Sequence, residues 1–240
     1  SHGHYDEDKW VQCVSKDCNK KWPSTHTIYY EAKFKKSEYI IVSLLGGPGK
    51  SKNFDGASVF SKLIGKIDVV FLNCPYFCGG LKDVPSAYKK DQQARINSVV
   101  EYYKKKYKKK IILAGNSNGA VRALGYIRGS VEYQNSIDGI ILSHTNLGKP
   151  GNPKIKWKFD HMNIPTLIIH HKKDYCNNTK PSQNKLLYKW LSKQNKNSTK
   201  LVSVDHKNSK SSTSCTSKNH KYNGSAIELI NEINNFLQKL

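Results

Sequence analysis

Between Lys110 and Arg128 the chain reads KIILAGNSNGAVRALGYIR, an apolar β-branched run, then Gly115-Asn116-Ser117-Asn118-Gly119, then a helical pattern. A serine in that setting can act as a nucleophile toward an acyl carbonyl. The small residues Gly115 and Gly119 permit a tight turn that holds the serine on strained backbone at the top of a sheet. The N-terminus of the helix that follows supplies positive potential where negative charge develops on the attacked carbonyl oxygen. Glycine and serine are common in turns, so the five residues alone say little. The strand before them and the helix after give the pattern its meaning.

Six apolar runs rich in β-branched residues read as buried parallel strands: Tyr39–Leu45, Ile67–Leu72, Lys110–Ala114, Gly139–Ser143, Pro165–His170 and Lys200–Val204. Helical patterns lie between them at Ala57–Ile64, Ser86–Lys106, Asn118–Arg128 and Gln183–Lys193, and Ser225–Leu240 closes the chain as an amphipathic helix. Such alternation predicts an α/β fold, with a mostly parallel sheet, helices on both faces, and sites at the carboxyl ends of the strands. Thr25–Lys35 alternates more and reads as an antiparallel edge strand. Residues 1–24 read as an N-terminal surface arm, pinned by Cys13 and Cys18, ahead of a single domain over residues 25–240.

On the elbow around Ser117 and the later segment Ile164–Asp174 (IPTLIIHHKKD), the chain resembles the α/β-hydrolase superfamily over roughly residues 38 to 240, as an esterase-like serine hydrolase of secreted bacterial type. The resemblance implies the chain order nucleophile, acid, histidine. Asp174, in the loop after the late strand, takes the acid's place, with Asp205 after the next strand as runner-up. The histidine belongs in the last long loop before the closing helix, where Lys218–Gly224 (KNHKYNG) puts His220. His206, directly after a strand, competes. Cys176 just after the acid and Cys215 just before His220 favour the latter, since a disulfide between them would staple the acid loop to the histidine loop. His144, His170 and His171 are read as surface or helix-end side chains.

The resemblance also implies an oxyanion hole of two backbone N–H groups: Asn118, and one from Leu44–Lys50 (LLGGPGK). That loop is similar to the family's His-Gly-Gly loop, with Leu45 where histidine is frequent. Gly47 is the expected donor, because Pro48 has no N–H. The implied chemistry is cleavage of a carboxylic ester or related acyl bond through an acyl-enzyme, with no cofactor and no metal. His144–Asn163 is too short for a large helical lid, so the expected cleft is open.

Six cysteines point to an oxidising compartment, hence a secreted or periplasmic location. The segment NCPYFCGG resembles a Cys-Pro-Tyr-Cys redox motif, but three residues separate Cys74 from Cys78, and no helix start follows to lower a thiol pKa. No second Cys or His pair completes a zinc site. No run approaches the length of about 20 apolar residues that a membrane span needs, and SHGHYDEDKW lacks a signal-peptide core. The net charge of +22 favours anionic partners, and YYKKKYKKK concentrates it in Lys104, Lys105, Lys106, Lys108, Lys109 and Lys110. With Arg95, Arg122 and Arg128 as the only arginines and no reading module, specific nucleic-acid recognition is not expected. The alternative in another class is a non-catalytic protein of the same fold that binds anionic envelope or membrane surfaces.

Overall fold

The computed structural model describes residues 7–76, 86–148 and 162–240. Its elements run β1 (Glu7–Gln12), β2 (Ser24–Tyr30), β3 (Tyr39–Leu44), α1 (Phe54–Ala57), a 3-10 turn (Val59–Leu63), β4 (Val69–Asn73), α2 (Ser86–Tyr107), β5 (Lys110–Asn116), α3 (Asn118–Gly129), α4 (Val131–Asn135), β6 (Gly139–Ser143), β7 (Thr166–His171), α5 (Pro181–Gln194), β8 (Thr199–Val204) and α6 (Ala226–Gln238). One sheet holds the eight described strands in the order β1-β2-β4-β3-β5-β6-β7-β8. From β4 to β8 every pairing is parallel, and β2 pairs antiparallel with both β1 and β4.

The central strands β3, β6 and β7 are buried along their whole length, and β5 at all but its first residue. Alternate side chains feed two separate layers. Ile40, Val42, Ile111 and Leu113 pack with Val99, Tyr103, Leu124 and Leu187 from the helices of one face. Ile41, Ile112 and Ala114 pack with Phe60, Leu63, Leu229 and Ile233 on the other. Burial on both faces is why these strands are unbroken apolar runs in the sequence. From β3 the chain crosses to β4 on one side, and β5 lies on the other side of β3. A crevice therefore opens above the carboxyl ends of β3 and β5, where binding sites of such sheets lie.

The N-terminal segment differs from the expected surface arm. Glu7–Gln12 adds an outer strand, so Ser24–Tyr30 is antiparallel as expected but second in the sheet rather than its edge. Only Val11 of that strand is buried, which is why the pattern EDKWVQ carries so little strand signal. Cys13 and Cys18 are disulfide-bonded in the turn that follows. A buried ion pair ties the segment to α2. Arg95 donates from Nε to Asp91 at 2.8 Å, and its other nitrogens reach the carbonyls of Ser24 and Trp22, while Asn19 N–H donates to Asp91 at 2.6 Å.

The lysine run lies at the amino ends of the parallel strands, and much of it is engaged. Lys106 pairs with Glu7, Lys109 with Asp68, and Lys104 donates to the carbonyl of Ser136. Lys110 Nζ sits 5.7 Å from the centre of the Tyr39 ring. Cys74 is disulfide-bonded, whereas Cys78 and the second half of the NCPYFCGG motif lie outside the described residues, as do residues 149–161 of the β6–β7 connection.

Arg95 and Asp91 are 2% and 1% exposed, so removing one partner strands a buried charge. Asp91→Ala should lower the unfolding free energy by about 3–5 kcal/mol in urea titration. Replacing both residues by Met and Leu should cost much less. A loss under about 1 kcal/mol for Asp91→Ala would contradict this role for the pair.

Candidate active site

Ser117 sits between β5 and α3 at φ 56° and ψ −118°, a region that L-residues avoid and that costs of order 1–3 kcal/mol. Its neighbours enforce that backbone. A Cβ on Gly115 would stand 2.2 Å from the backbone of Gly119, and one on Gly119 would stand 2.4 Å from the carbonyl oxygen of Leu44. Strand β3, strand β5 and helix α3 therefore meet where no side chain fits. Ser117 N–H donates to the Ser143 carbonyl at 2.9 Å, and its own carbonyl accepts from Val121 and Asn146, each at 3.4 Å.

The loop after β3 faces this turn. Gly47 has φ +57° with open space beside its Cα, and Gly49 N–H closes the turn on the Gly46 carbonyl at 3.1 Å. Asn118 Nδ2 donates to the Gly47 carbonyl at 3.3 Å, and Asn118 Oδ1 accepts from Asn146 Nδ2 at 2.7 Å. The side chain of Asn118 thus fixes the glycine loop against α3. Its N–H, the first of that helix, has no intrahelical acceptor.

Asp174 and His220 come from two loops held together three times over. Tyr175 N–H donates to the Ser212 carbonyl at 2.8 Å, Ser212 N–H returns to Lys173 at 3.2 Å, and a disulfide joins Cys176 to Cys215. Asp174 is fully buried. Its Oδ2 accepts from His220 Nδ1 at 2.8 Å and from Thr179 Oγ1 at 3.0 Å, and its Oδ1 accepts from Cys176 N–H at 3.1 Å. Burial pushes the carboxyl pKa up, but the hydrogen bonds from His220 and from Cys176 N–H work against it, and Asp174 stays below its ordinary value. With the proton of Nδ1 committed to Asp174, the free lone pair of His220 lies on Nε2. His220 and Ser117 line one cleft of about 440 Å³, together with Leu45, Gly47, Val59 and Asn118. No direct hydrogen bond joins Ser117 to His220 among the described residues.

The competing residues face elsewhere. His171 Nδ1 accepts from Lys173 N–H at 3.0 Å, so its proton is on Nε2 and is donated to His206 Nδ1 at 2.9 Å. Asp205 accepts from His206 N–H at 2.8 Å and from Ser209 Oγ. Neither Asp205 nor His206 lines the cleft of Ser117. His171, Asp205 and His206 lie close enough to hold a metal ion, as do His144, Asp174 and His220. Their hydrogen bonds argue otherwise, since His171 Nε2 carries a proton and His144 Nε2 already accepts from His171 N–H at 2.9 Å.

His144, His170 and His171, expected at the surface or at helix ends, are instead buried. His144 lies between His220 and Tyr222, with ring centres 4.9 and 4.7 Å away, and contacts Asn116 Oδ1 through Nδ1 at 3.2 Å. Asn116 Oδ1 also accepts from Ser143 Oγ at 2.6 Å, and Ser143 Oγ lies 2.6 Å from the Tyr222 hydroxyl. This polar layer beneath Ser117 and His220 gives no signal in the sequence beyond the Asn116 of the elbow. Burial lowers the pKa of all three histidines, to about 4 for His170 and well below the ordinary value for His144.

No protein-family model and no curated protein sequence matches this chain. Solved structures do. A lidless α/β serine hydrolase from Xanthomonas campestris superposes with a TM-score of 0.63 at 15% identity, covering 98% of this chain and 96% of that one. A hyperthermophilic esterase from the archaeon Pyrobaculum calidifontis gives 0.66 at 12% identity over 98% and 86%. Est1E from Butyrivibrio proteoclasticus, solved with ferulic acid bound, gives 0.57 at 17% identity over 96% and 98%.

A histidine whose folded pKa is depressed stabilises the fold in full above the ordinary value near 6.5, and that stability is lost as pH falls toward the folded value. For His170 the window runs from about pH 6.5 to about 4. Unfolding free energy from urea titration should fall by at least about 1.4 kcal/mol per pH unit between pH 6 and 5, and His170→Asn should flatten the slope. A profile that is level over that range would contradict neutral buried histidines.

Proposed function

We propose that this chain, which has the α/β-hydrolase fold, is itself a serine hydrolase that cleaves a carboxylic ester or related acyl bond. Ser117 is the nucleophile, His220 the base and Asp174 the acid that orients it, with the N–H groups of Gly47 and Asn118 as the oxyanion hole. One observation carries the reading: the buried Asp174–His220 hydrogen bond of 2.8 Å leaves the free nitrogen of His220 in the cleft that also holds a serine at positive φ.

In the first step His220 Nε2 accepts the Ser117 proton as Oγ bonds to the carbonyl carbon, and the oxyanion settles on the two N–H groups. The imidazolium then returns its proton to the departing alkoxide, which leaves an ester on Ser117. Water, giving a proton to His220, attacks that ester, and collapse of the second tetrahedral species restores the serine. Asp174 stays ionised throughout and holds the Nδ1–H tautomer.

Disulfides at Cys13–Cys18 and Cys176–Cys215, and the disulfide-bonded Cys74, support a secreted or periplasmic setting. Among the described residues no helix is long and apolar enough to cross a membrane. A purely binding role for the lysine run draws no support from its geometry, since Lys104, Lys106 and Lys109 are engaged within the protein.

Turnover of 4-nitrophenyl acetate tests the assignment. Ser117→Ala should abolish it, and Asp174→Asn should lower kcat by about 10⁴-fold because the histidine loses its tautomer. His206→Ala should stay within about twofold of the parent, as expected of a side chain outside the cleft. Loss with His206→Ala and retention with Asp174→Asn would reverse the assignment.

A further inference from the structure

We infer that the ester this cleft takes carries a negative charge close to the scissile bond. The inference rests on the hydrolase reading and adds the class of substrate to it. Two charged side chains among the described residues open onto the cleft of Ser117, Lys50 and Lys221, and both are cationic. Lys50 comes from the glycine loop and Lys221 directly follows His220, so the two enter the cleft lining from different loops. Both are exposed, and neither has an ion-pair partner among the described residues.

A third lysine adds to the potential. Lys62 is half-buried in the 3-10 turn beneath and donates to Asn223 Oδ1 at 3.0 Å, a neutral acceptor. Burial first, and then the charge of Lys221, push its pKa down, so Lys62 and Lys221 feel each other's charge. The carboxylate of the site, Asp174, lies fully buried behind His220 and does not itself line the cleft. Part of the wall is apolar and small, with Leu45, Pro48, Ala57 and Val59, and Ser51 and Ser58 add uncharged polar groups. A short acyl or alcohol group ending in a carboxylate or similar anion matches apolar walls beside two unpaired ammonium groups. Charge at a cleft mouth also draws such a substrate in, an effect that salt screens.

The test compares anionic esters with their neutral methyl-capped partners on the intact protein. Mono-4-nitrophenyl glutarate places the charge on the acyl side, and 4-acetoxybenzoate places it on the alcohol side. At low ionic strength kcat/KM for at least one anionic ester should exceed that of its capped partner by about tenfold. The ratio should shrink at about 0.5 M NaCl, collapse in the double variant Lys50→Gln, Lys221→Gln, and persist in Lys50→Arg, Lys221→Arg. Equal rates within both pairs, or a preference that survives the double glutamine variant, would overturn the inference while leaving the hydrolase reading intact. If no ester is turned over, the hydrolase reading fails by itself, and calorimetric titration with glutarate and 4-hydroxybenzoate decides the charge question. Binding that the glutamine variant loses supports an anion-binding cleft, and absence of binding overturns it.

Discussion

Where β3, β5 and α3 converge there is no room for a single Cβ atom, and much of the site follows from that close approach. The backbone of Gly119 lies against Gly115, and the carbonyl of Leu44 lies against Gly119. The turn between strand and helix is thereby compressed to the one residue at φ 56°, Ser117. Strain of this kind persists only where the surroundings over-determine it, and here parallel pairing of β3, β5 and β6 fixes both sides of the turn. The same approach brings the Leu44–Lys50 loop against the start of α3, so that Asn118 reaches the Gly47 carbonyl.

A second group of constraints acts on the other wall. Asp174 follows β7, and His220 follows a long irregular excursion from β8, so nothing in the sheet itself holds them together. The Cys176–Cys215 link and the paired backbone of Lys173–Tyr175 with Ser212 do so. Beneath them, neutral His144 fills the space between His220 and Tyr222 without competing for the Asp174 charge by forming an imidazolium. A protonated histidine there would face both His220 and Asp174 in a dry setting, which burial opposes.

Much of this was legible in the sequence, for identifiable reasons. Strands covered on both faces must be apolar throughout, so β3, β5, β6 and β7 stand out as runs, and Gly-Asn-Ser-Asn-Gly is a local signal that needs no distant partner. Other features depend on contacts remote in sequence. Strand β1 has one buried residue and is defined by pairing with β2, by Glu7 with Lys106 and by the Arg95–Asp91 pair nearby. His170 and His171 continue β7 into the core, where a polar residue type argues for the surface and the sheet's two-sided cover overrides it. The lysine run reads as a free charge patch until Glu7, Asp68 and the Ser136 carbonyl, brought from elsewhere in the chain, take up part of it.

The most direct measurement is covalent capture. The intact protein would be treated with a small fluorophosphonate, weighed whole by mass spectrometry, and digested to locate the adduct. Activation of Ser117 by His220 predicts a single phosphonyl group on the peptide that contains Gly115–Gly119, with no adduct after prior treatment with a second serine-directed inhibitor. An unmodified, folded protein, or an adduct on any residue other than Ser117, would contradict the account.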